Sequence, residues 1–261
     1  MTKNISQPVP VVSIQKITAH YEWNKPVLCN VSLNIMPGER LVLLGETGSG
    51  KSTLLSCISG IKMPAKGKIL FNGEPLRYRD KELQQHWRRV PMIDQDATSL
   101  IECHTIAENL VKAMIINGLP RWTAKEYAHL YLEEVGLCGK ENAYPQELSG
   151  GQRQRAVICK ALAIGGNMEG KVLLADEPVS SLDPPTAREI LDLLKRLRCA
   201  VCLITHHPDR VIDFCDRMFL LDHRHHCLVD ITNVKKEHPE LLSNFQKYSD
   251  LVDESNRLRI P

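Results

Sequence analysis

The sequence predicts an α/β fold built around a parallel sheet. The short segments at 40–44, 172–175 and 201–205 are apolar except for Arg40 and Thr205, which is typical of strands buried on both faces. A segment with helical periodicity separates the second of these strands from the third. Because strands that alternate with helices form parallel sheets covered by helices, we expect that architecture here.

An antiparallel β layer is predicted before the first buried strand. Residues 11–19 and 31–35 alternate between apolar and polar side chains, which is typical of strands with one buried face. The strand at 40–44 then runs into a glycine turn, and a helix is predicted from Lys51 to Ser59, with Gly60 closing it.

A mainly helical insertion is predicted at about 97–154. One helix is expected from Ile106 to Asn117, where a glycine and a proline stop it. The spacing of Thr123 and Glu126 is that of a capping box, which predicts that a second helix opens there and ends at Gly136. The insertion divides the β-rich part of the chain in two.

The parallel pattern resumes after the insertion. A helix is predicted with Asp183 as its N-cap and Pro184 in its first position. Its apolar stripe consists of Ala187, Ile190, Leu191, Leu194 and Leu197. Further buried strands are expected at 201–205 and 218–221. We therefore expect one domain over 1–261, with a core at about 11–96 and 155–222, a helical subdomain at about 97–154 and a short C-terminal extension at 223–261.

Composition excludes few functions. The net charge is +2, and no basic run is long enough to suggest a polyanion tract, so we expect no nucleic acid partner. The nine scattered cysteines are typical of a reduced, intracellular core. The N-terminal residues lack the apolar segment of a signal peptide, and no run of about 18 apolar residues occurs, so we expect the chain not to cross a membrane itself.

A phosphate-binding loop is predicted between the first buried strand and the helix at Lys51. The segment GETGSGKS fits the pattern G-x-x-x-x-G-K-S, whose glycines let backbone N–H groups converge on an anion. Lys51 can reach the β and γ phosphates of a nucleotide, and the Ser52 hydroxyl can ligate Mg²⁺. The predicted nucleotide contacts in this loop are Gly45, Glu46, Thr47, Gly48, Ser49, Gly50, Lys51, Ser52 and Thr53.

Two acidic residues follow the apolar strand at 172–175. In α/β folds, ligands bind at the carboxyl ends of the strands, and Asp176 and Glu177 are expected to lie there. Asp176 is placed to hold Mg²⁺, and Glu177 is placed to orient or deprotonate an attacking water. Phosphoryl transfer needs little more than this positioning and charge neutralisation.

A third motif makes the resemblance to a known family specific. The segment LSGGQ at 148–152 is identical to the signature of ABC (ATP-binding cassette) ATPases, and the longer run PQELSGGQRQR is similar to that family as well. Ser149 and Gln152 have capping-box spacing, so Ser149, Gly150, Gly151 and Gln152 are predicted to form a helix N-terminus that binds anions. The resemblance implies a P-loop NTPase (RecA-like) core, ATP and Mg²⁺ as ligands, and a head-to-tail dimer in which each ATP lies between the phosphate loop of one cassette and the signature of another.

The resemblance extends to single residues, in family order along the chain. Tyr21 resembles the aromatic residue that stacks on adenine, and Gln95 resembles the glutamine that senses Mg²⁺ and the attacking water. The segment SSLD ending at Asp183 resembles the loop that crosses the dimer interface. His206 resembles the switch histidine that contacts the γ-phosphate, and His207 departs from the aspartate that is usual after it.

Two further patterns are interpreted as structural. Cys199 and Cys202 have the spacing of a metal or redox motif, but they enter a buried strand and no second pair is present. The segment HRHHC at 223–227 is interpreted as a polar turn between two strands rather than a metal site.

The resemblance implies an ATPase that powers transport. A single cassette without a membrane span implies membrane-spanning permease subunits as partners, a second cassette (a copy or a paralogue), and a peripheral location at the cytoplasmic face of the inner membrane. Import of a small solute is expected, and the segments QD at 95–96 and ADEP at 175–178 are similar to oligopeptide-type importer cassettes. The alternative is a soluble single-cassette ABC-type ATPase acting in a non-transport process.

Overall fold

The strands of this protein form two sheets, which pack against each other through one of two buried apolar clusters. The computed structural model describes residues 9–22, 25–94 and 99–237, with the backbone alone at residues 21 and 22. Within these ranges, one sheet has four antiparallel strands and the other has six mainly parallel strands. The predicted α/β class, with an antiparallel β layer beside a parallel core, is confirmed.

The antiparallel sheet has the strand order β2-β1-β4-β5. Its strands are β1 (Val12–Glu22), β2 (Lys25–Ile35), β4 (Lys66–Phe71) and β5 (Glu74–Pro75). Alternate residues of β2 from Val31 onward are buried, so one face of this sheet covers the core while the other faces solvent.

The main sheet has the strand order β10-β9-β3-β8-β7-β6, and only the β9–β10 pair is antiparallel. Its strands are β3 (Arg40–Leu44), β6 (Met92–Ile93), β7 (Val172–Asp176), β8 (Ala200–Thr205), β9 (Arg217–Asp222) and β10 (Cys227–Asp230). Neighbouring β3, β8 and β7 are parallel and in register, so Leu44, Thr205 and Asp176 end at the same edge. This edge is where the candidate site lies.

Helices lie on both faces of the main sheet. Their bounds are α1 (Lys51–Ile58), α2 (Asp80–Arg89), α3 (Ile106–Ile116), α4 (Arg121–Glu134), α5 (Gly150–Gly165), α6 (Pro184–Arg196), α7 (Pro208–Val211) and α8 (Thr232–Glu237), with a 3₁₀ turn at Pro145–Glu147. α1 lies on the face that the antiparallel sheet covers, and α3, α5 and α6 lie on the other. α3, α4 and α5 pack on one another in the region expected to be helical. In the described ranges, none of the helices has the length and apolar character needed to span a bilayer.

The buried strands divide the core into two clusters. Val42 and Leu44 face the cluster formed mainly by the helices, and Leu41 and Leu43 face the cluster under the antiparallel sheet. This alternation follows from the two-residue period of a strand, and it explains why β3 is apolar at every one of these positions.

The helix caps predicted at Asp183 and Ser149 are confirmed, and the one predicted at Thr123 is wrong. Asp183 accepts a hydrogen bond from the Thr186 N–H at 3.1 Å and caps α6, as predicted. The predicted second helix of the insertion does not open at Thr123, because α4 already begins at Arg121, directly after Pro120. Proline with an extended ψ ends the preceding turn and lets a helix start at the next residue, so Thr123 lies inside the first turn and caps nothing.

Part of the segment after residue 223 contributes to the main sheet. After the turn at 223–226, β10 pairs with β9, and α8 packs against β9 with Val234 buried. The C-terminal extension expected from residue 223 therefore begins with a strand of the core sheet.

Candidate nucleotide-binding and hydrolysis site

The phosphate loop lies between β3 and α1 and encloses the ammonium group of Lys51. Lys51 Nζ donates to the carbonyl oxygens of Gly45 and Glu46 at 2.7 and 2.8 Å. Gly48 and Gly50 have φ values of 83° and 101°, which other residues rarely adopt. The loop therefore holds a buried cation at the N-terminus of α1, where backbone N–H groups also favour an anion.

The phosphate loop is packed so closely that Gly45 and Gly50 leave no room for a side chain. A Cβ atom at Gly45 would lie 2.5 Å from Ser49 Oγ, and one at Gly50 would lie 2.6 Å from the Val27 side chain. Within the described residues, the buried Ser49 hydroxyl has no hydrogen-bond partner. A cradle with an unpartnered buried hydroxyl and a buried ammonium group fits a phosphate chain. Of the other loop residues, Glu46, Thr47 and Ser52 are exposed and Thr53 is half-buried.

Asp176 joins the end of β7 to the phosphate loop. The Ser52 hydroxyl donates to Asp176 Oδ2 at 3.0 Å. Burial raises the pKa of Asp176, and the hydrogen bond from Ser52 opposes that effect. Burial likewise lowers the pKa of Lys51, against the attraction of Glu177 and Asp176. Two oxygen donors, Ser52 and Asp176, are thus paired at the loop, and oxygen donors of this kind fit Mg²⁺.

Glu177 follows β7 and is held by residues at the end of β8. Its carboxylate lies 2.5 Å from His206 Nδ1 through Oε1 and 3.0 Å from Thr205 Oγ1 through Oε2. Glu177 is 7% exposed, and the His206 side chain is 45% exposed. A buried carboxylate beside an accessible imidazole is suited to proton transfer near the phosphate loop. Thr205 was not among the site residues predicted from the sequence. The signal that could have identified it is its hydroxyl group at the end of an otherwise apolar strand.

His207, the residue after His206, packs on the His206 ring. The two ring centroids are 3.9 Å apart, and the rings are tilted by 41°. Burial, His206 and Arg210 all lower the pKa of His207, so the neutral ring is favoured at neutral pH.

The signature segment forms the N-terminus of α5 with the predicted capping box. Ser149 Oγ accepts from the Gln152 N–H at 3.3 Å, and Gln152 Oε1 accepts from the Ser149 N–H at 3.1 Å. Ser149 and Gly150 are exposed, and Gly151 packs closely on Thr186 of α6. Among the described contacts, the signature touches α6 rather than the phosphate loop of its own chain.

Arg210 of α7 stabilises the loop between Glu177 and α6 through hydrogen bonds. Arg210 Nη1 donates to the carbonyl oxygens of Val179, Ser180 and Leu182 at 2.7, 3.3 and 3.0 Å. Asp183, at the end of this loop, is exposed and caps α6. The role of Arg210 could not be predicted from the sequence, because α6 and β8 separate it from its partners in the chain.

Two of the predicted site residues, Tyr21 and Gln95, cannot be placed in the site. The side chain of Tyr21 and the whole of Gln95 lie outside the described residues. Their proposed contacts with adenine and with Mg²⁺ stay predictions.

The cysteine and histidine patterns occupy structural positions. Cys199 and Cys202 are buried and free, and burial raises the pKa of the Cys199 thiol to about 11. The histidines at 223–226 form the predicted turn between β9 and β10, with His223 Nδ1 3.3 Å from Glu46. In the described ranges, no cluster of three or more His, Cys, Asp or Glu side chains is arranged to hold a metal ion.

Comparison with known proteins decides the family. A family model described as "ABC transporter" matches residues 28–180, which include the phosphate loop, the signature and the acidic strand end. The chain belongs to the ABC transporter family.

Named relatives in the ABC transporter family include methionine import ATP-binding proteins MetN. The one from Francisella tularensis subsp. holarctica (strain OSU18) is 37% identical over 220 residues, which cover 81% of this chain and 61% of the relative. The one from Photorhabdus laumondii subsp. laumondii is 37% identical over 237 residues, which cover 89% of this chain and 68% of the relative. This family member thus spans roughly three fifths of the Francisella relative's length.

Solved cassettes of the ABC transporter family share the fold. A dimeric post-hydrolysis state of the cassette MJ0796 bound to ADP and Pi is 30% identical, with a TM-score of 0.72 over 81% of this chain and 94% of that one. The structure of cbiO1 from Clostridium perfringens, part of the transporter complex cbiONQ, has a TM-score of 0.77 over 91% of this chain and 99% of that one. At 24% identity, the second likeness concerns the fold alone.

Proposed function

We propose that this chain binds and hydrolyses ATP as the energy-coupling subunit of an ABC transporter that imports a small solute. The observation that supports this most directly is the convergence of three groups at one edge of the main sheet. These are the enclosed ammonium group of Lys51, the Ser52–Asp176 pair and the Glu177–His206 pair.

The side chains have separate tasks in this proposal. Lys51 and the N–H groups of the phosphate loop bind the β and γ phosphates, and Tyr21 stacks on adenine. Glu177 accepts a proton from water while the water oxygen forms a bond to the γ-phosphorus. The bond between that phosphorus and the bridging oxygen breaks, and ADP leaves with the electron pair. His206 contacts the γ-phosphate and orients Glu177.

Ser52, Asp176 and Gln95 would hold Mg²⁺ together with the phosphates. When bound, the ion neutralises charge on the phosphate oxygens. The paired oxygen donors of Ser52 and Asp176 support this assignment.

The working state in this proposal is a head-to-tail dimer. The phosphate loop of one cassette and the residues Ser149, Gly150, Gly151 and Gln152 of another enclose each ATP, and Asp183 lies in the loop at the interface. The exposed, capped N-terminus of α5 supports this arrangement, as does the dimeric form of the related cassette MJ0796. The second cassette is a copy of this chain or a paralogue.

A membrane partner distinguishes transport from the alternative of a soluble ATPase with another task. The names of the MetN relatives support import, and the cargo is then chosen by the permease subunits. We place the docking surface for a permease at 97–103 and the start of α3, which puts this chain at the cytoplasmic face of the inner membrane.

Two native cysteines provide a matched test of the transport proposal. Cys103 lies in the proposed docking surface, Cys138 lies after α4, and both are exposed. A thiol-directed cross-linker applied to membranes is expected to capture an integral membrane protein with the parent chain and with Cys138→Ser, but not with Cys103→Ser. If the chain stays in the soluble fraction and no membrane protein is captured from Cys103, the soluble alternative is favoured.

A further inference from the structure

The backbone of Glu177 adopts a conformation that the neighbouring strand enforces. Its φ of 49° lies in the left-handed region, which is unfavourable for a residue with a Cβ atom. The Glu177 N–H donates to the Ile204 carbonyl of β8 at 3.0 Å. Conformations of this kind persist at functional sites where surrounding contacts hold them. The end of β8 therefore fixes the point from which the Glu177 side chain projects.

The two oxygens of the Glu177 carboxylate have partners of different character. Thr205 Oγ1 lies 3.0 Å from Oε2, and Thr205 is fully buried. His206 Nδ1 lies 2.5 Å from Oε1, and its side chain is partly exposed. The Thr205 contact is thus shielded from water, while the imidazole is free to turn towards a phosphate.

The direction of the Thr205 hydrogen bond follows from a third contact. The His207 N–H donates to Thr205 Oγ1 at 3.0 Å. A hydroxyl has one proton to donate and lone pairs that accept, whereas a backbone N–H only donates and an ionised carboxylate only accepts. Thr205 therefore accepts from His207 and donates its proton to Glu177.

Packing does not require a hydroxyl at this position. β8 has the sequence AVCLIT, and every residue in it is buried. Valine would fill nearly the same volume, and a buried hydroxyl costs free energy unless it is hydrogen-bonded. The hydrogen bonds to Glu177 and His207 thus account for threonine where an apolar residue would suffice for the core.

We propose that Thr205 is a positioning residue for ATP hydrolysis, whose hydroxyl fixes the Glu177 carboxylate in the orientation that accepts a proton from the attacking water. This inference rests on the proposed function, in which Glu177 is the catalytic carboxylate. Because the hydroxyl contacts Glu177 and His207 rather than the phosphate loop, its loss slows hydrolysis and leaves nucleotide binding intact.

The experiment compares Thr205→Val with Thr205→Ser in the full chain. The valine variant is expected to lower kcat for ATP about tenfold or more, with KM changed by less than about twofold, because a hydrogen bond to a charged group is lost. The serine variant keeps the hydroxyl and is expected to retain most of the parent kcat. The valine variant is also expected to accumulate an ATP-bound dimer, since binding persists while hydrolysis is slow.

Glu177→Gln in the same assays separates this inference from the proposed function. If Glu177→Gln abolishes hydrolysis while folded Thr205→Val keeps the parent kcat, the role of Thr205 is overturned and the proposed function stands. If Glu177→Gln hydrolyses ATP at the parent rate, both fall. Equal losses in the valine and serine variants would indicate a steric effect and would also overturn the inference. Circular dichroism monitors folding, and Thr205→Ala replaces the valine variant if the latter does not fold.

Discussion

Ser52 Oγ donates to Asp176 Oδ2 at 3.0 Å, a hydrogen bond between residues 124 positions apart in the chain. It joins the first turn of α1 to the end of β7, two places away from β3 in the main sheet. The phosphate loop and the acidic strand end are thus already assembled in the free chain. Little reorganisation is then needed when a nucleotide binds, which favours tight binding.

Lys51→Ala is expected to weaken nucleotide binding at least about tenfold, because charge-assisted contacts to phosphate are among the strong ones. The Lys51 ammonium is buried and donates to the Gly45 and Glu46 carbonyls, so the variant removes the cation that the loop encloses. Titration with a fluorescent ATP analogue measures the dissociation constant. Lys125→Ala, at an exposed position of α4, is the control and is expected to bind as the parent does. Parent-like turnover in a folded Lys51→Ala protein would contradict the assigned phosphate site.

Glu177→Gln is expected to abolish hydrolysis, retain ATP binding and trap a dimer with two ATP molecules at its interface. Glutamine keeps the shape of the side chain and loses the negative charge and basicity, so water is poorly activated while Lys51, Ser52 and Asp176 still bind the nucleotide. The γ-phosphate that bridges to the opposite Ser149–Gln152 segment then stays in place.

Light scattering on the Glu177→Gln variant with ATP and with ADP checks this expectation. The dimer is expected with ATP and not with ADP. Glu133→Gln, exposed on α4, controls for the loss of one negative charge. A variant that stays monomeric at saturating ATP would count against a homodimer and favour a paralogous second cassette.

Site features whose parts are close in sequence could be predicted. The phosphate loop is one continuous segment, and the caps at Ser149 and Asp183 each pair residues three positions apart. The same local logic was wrong at Thr123, because Pro120 starts the helix earlier than the capping pattern suggests. A capping pattern thus predicts that a helix is present more reliably than it predicts the residue at which the helix begins.

Contacts between distant segments could not be predicted in the same way. Thr205 and Glu177 are 28 positions apart, and no sequence signal links them before the strand order is known. The helix α2 was also not predicted, because only His86 of its ten residues is buried and an apolar stripe is absent. In β4, the first three residues are exposed and only Ile69 and Phe71 are buried, which leaves too short an alternation to recognise.

Arg40→Met is expected to lower the free energy of unfolding by about 2–4 kcal/mol, because it leaves buried carbonyl groups without donors. Arg40 is 9% exposed, and its guanidinium donates to four carbonyl oxygens. Those of Lys195 and Leu197 belong to the C-terminal end of α6. Urea denaturation of the nucleotide-free chain measures the effect, and Arg198→Met, at an exposed position, is the control. Equal stability of the two variants would show that these hydrogen bonds contribute little.

Gly151→Ala separates the packing role of the signature glycine from its role towards nucleotide. A Cβ atom at Gly151 would lie 2.5 Å from Thr186 Cγ2, so Thr186 must move, and its N–H is the group that Asp183 caps. Overpacking of this kind costs about 1–3 kcal/mol, so we expect the variant to unfold at lower urea concentration. Thr186→Ser removes the clashing methyl group and keeps the backbone N–H.

The double variant Gly151→Ala with Thr186→Ser is therefore expected to regain most of the lost stability, and a double-mutant cycle measures the coupling. The ATPase activity of the double variant then shows whether Gly151 has a role beyond packing. If stability returns while ATPase activity does not, the glycine is also needed to bring the α5 backbone close to the nucleotide of the opposite cassette. If activity returns with stability, packing against Thr186 is the whole reason for glycine at this position. A Gly151→Ala cost that is the same with threonine and with serine at position 186 would contradict the clash itself.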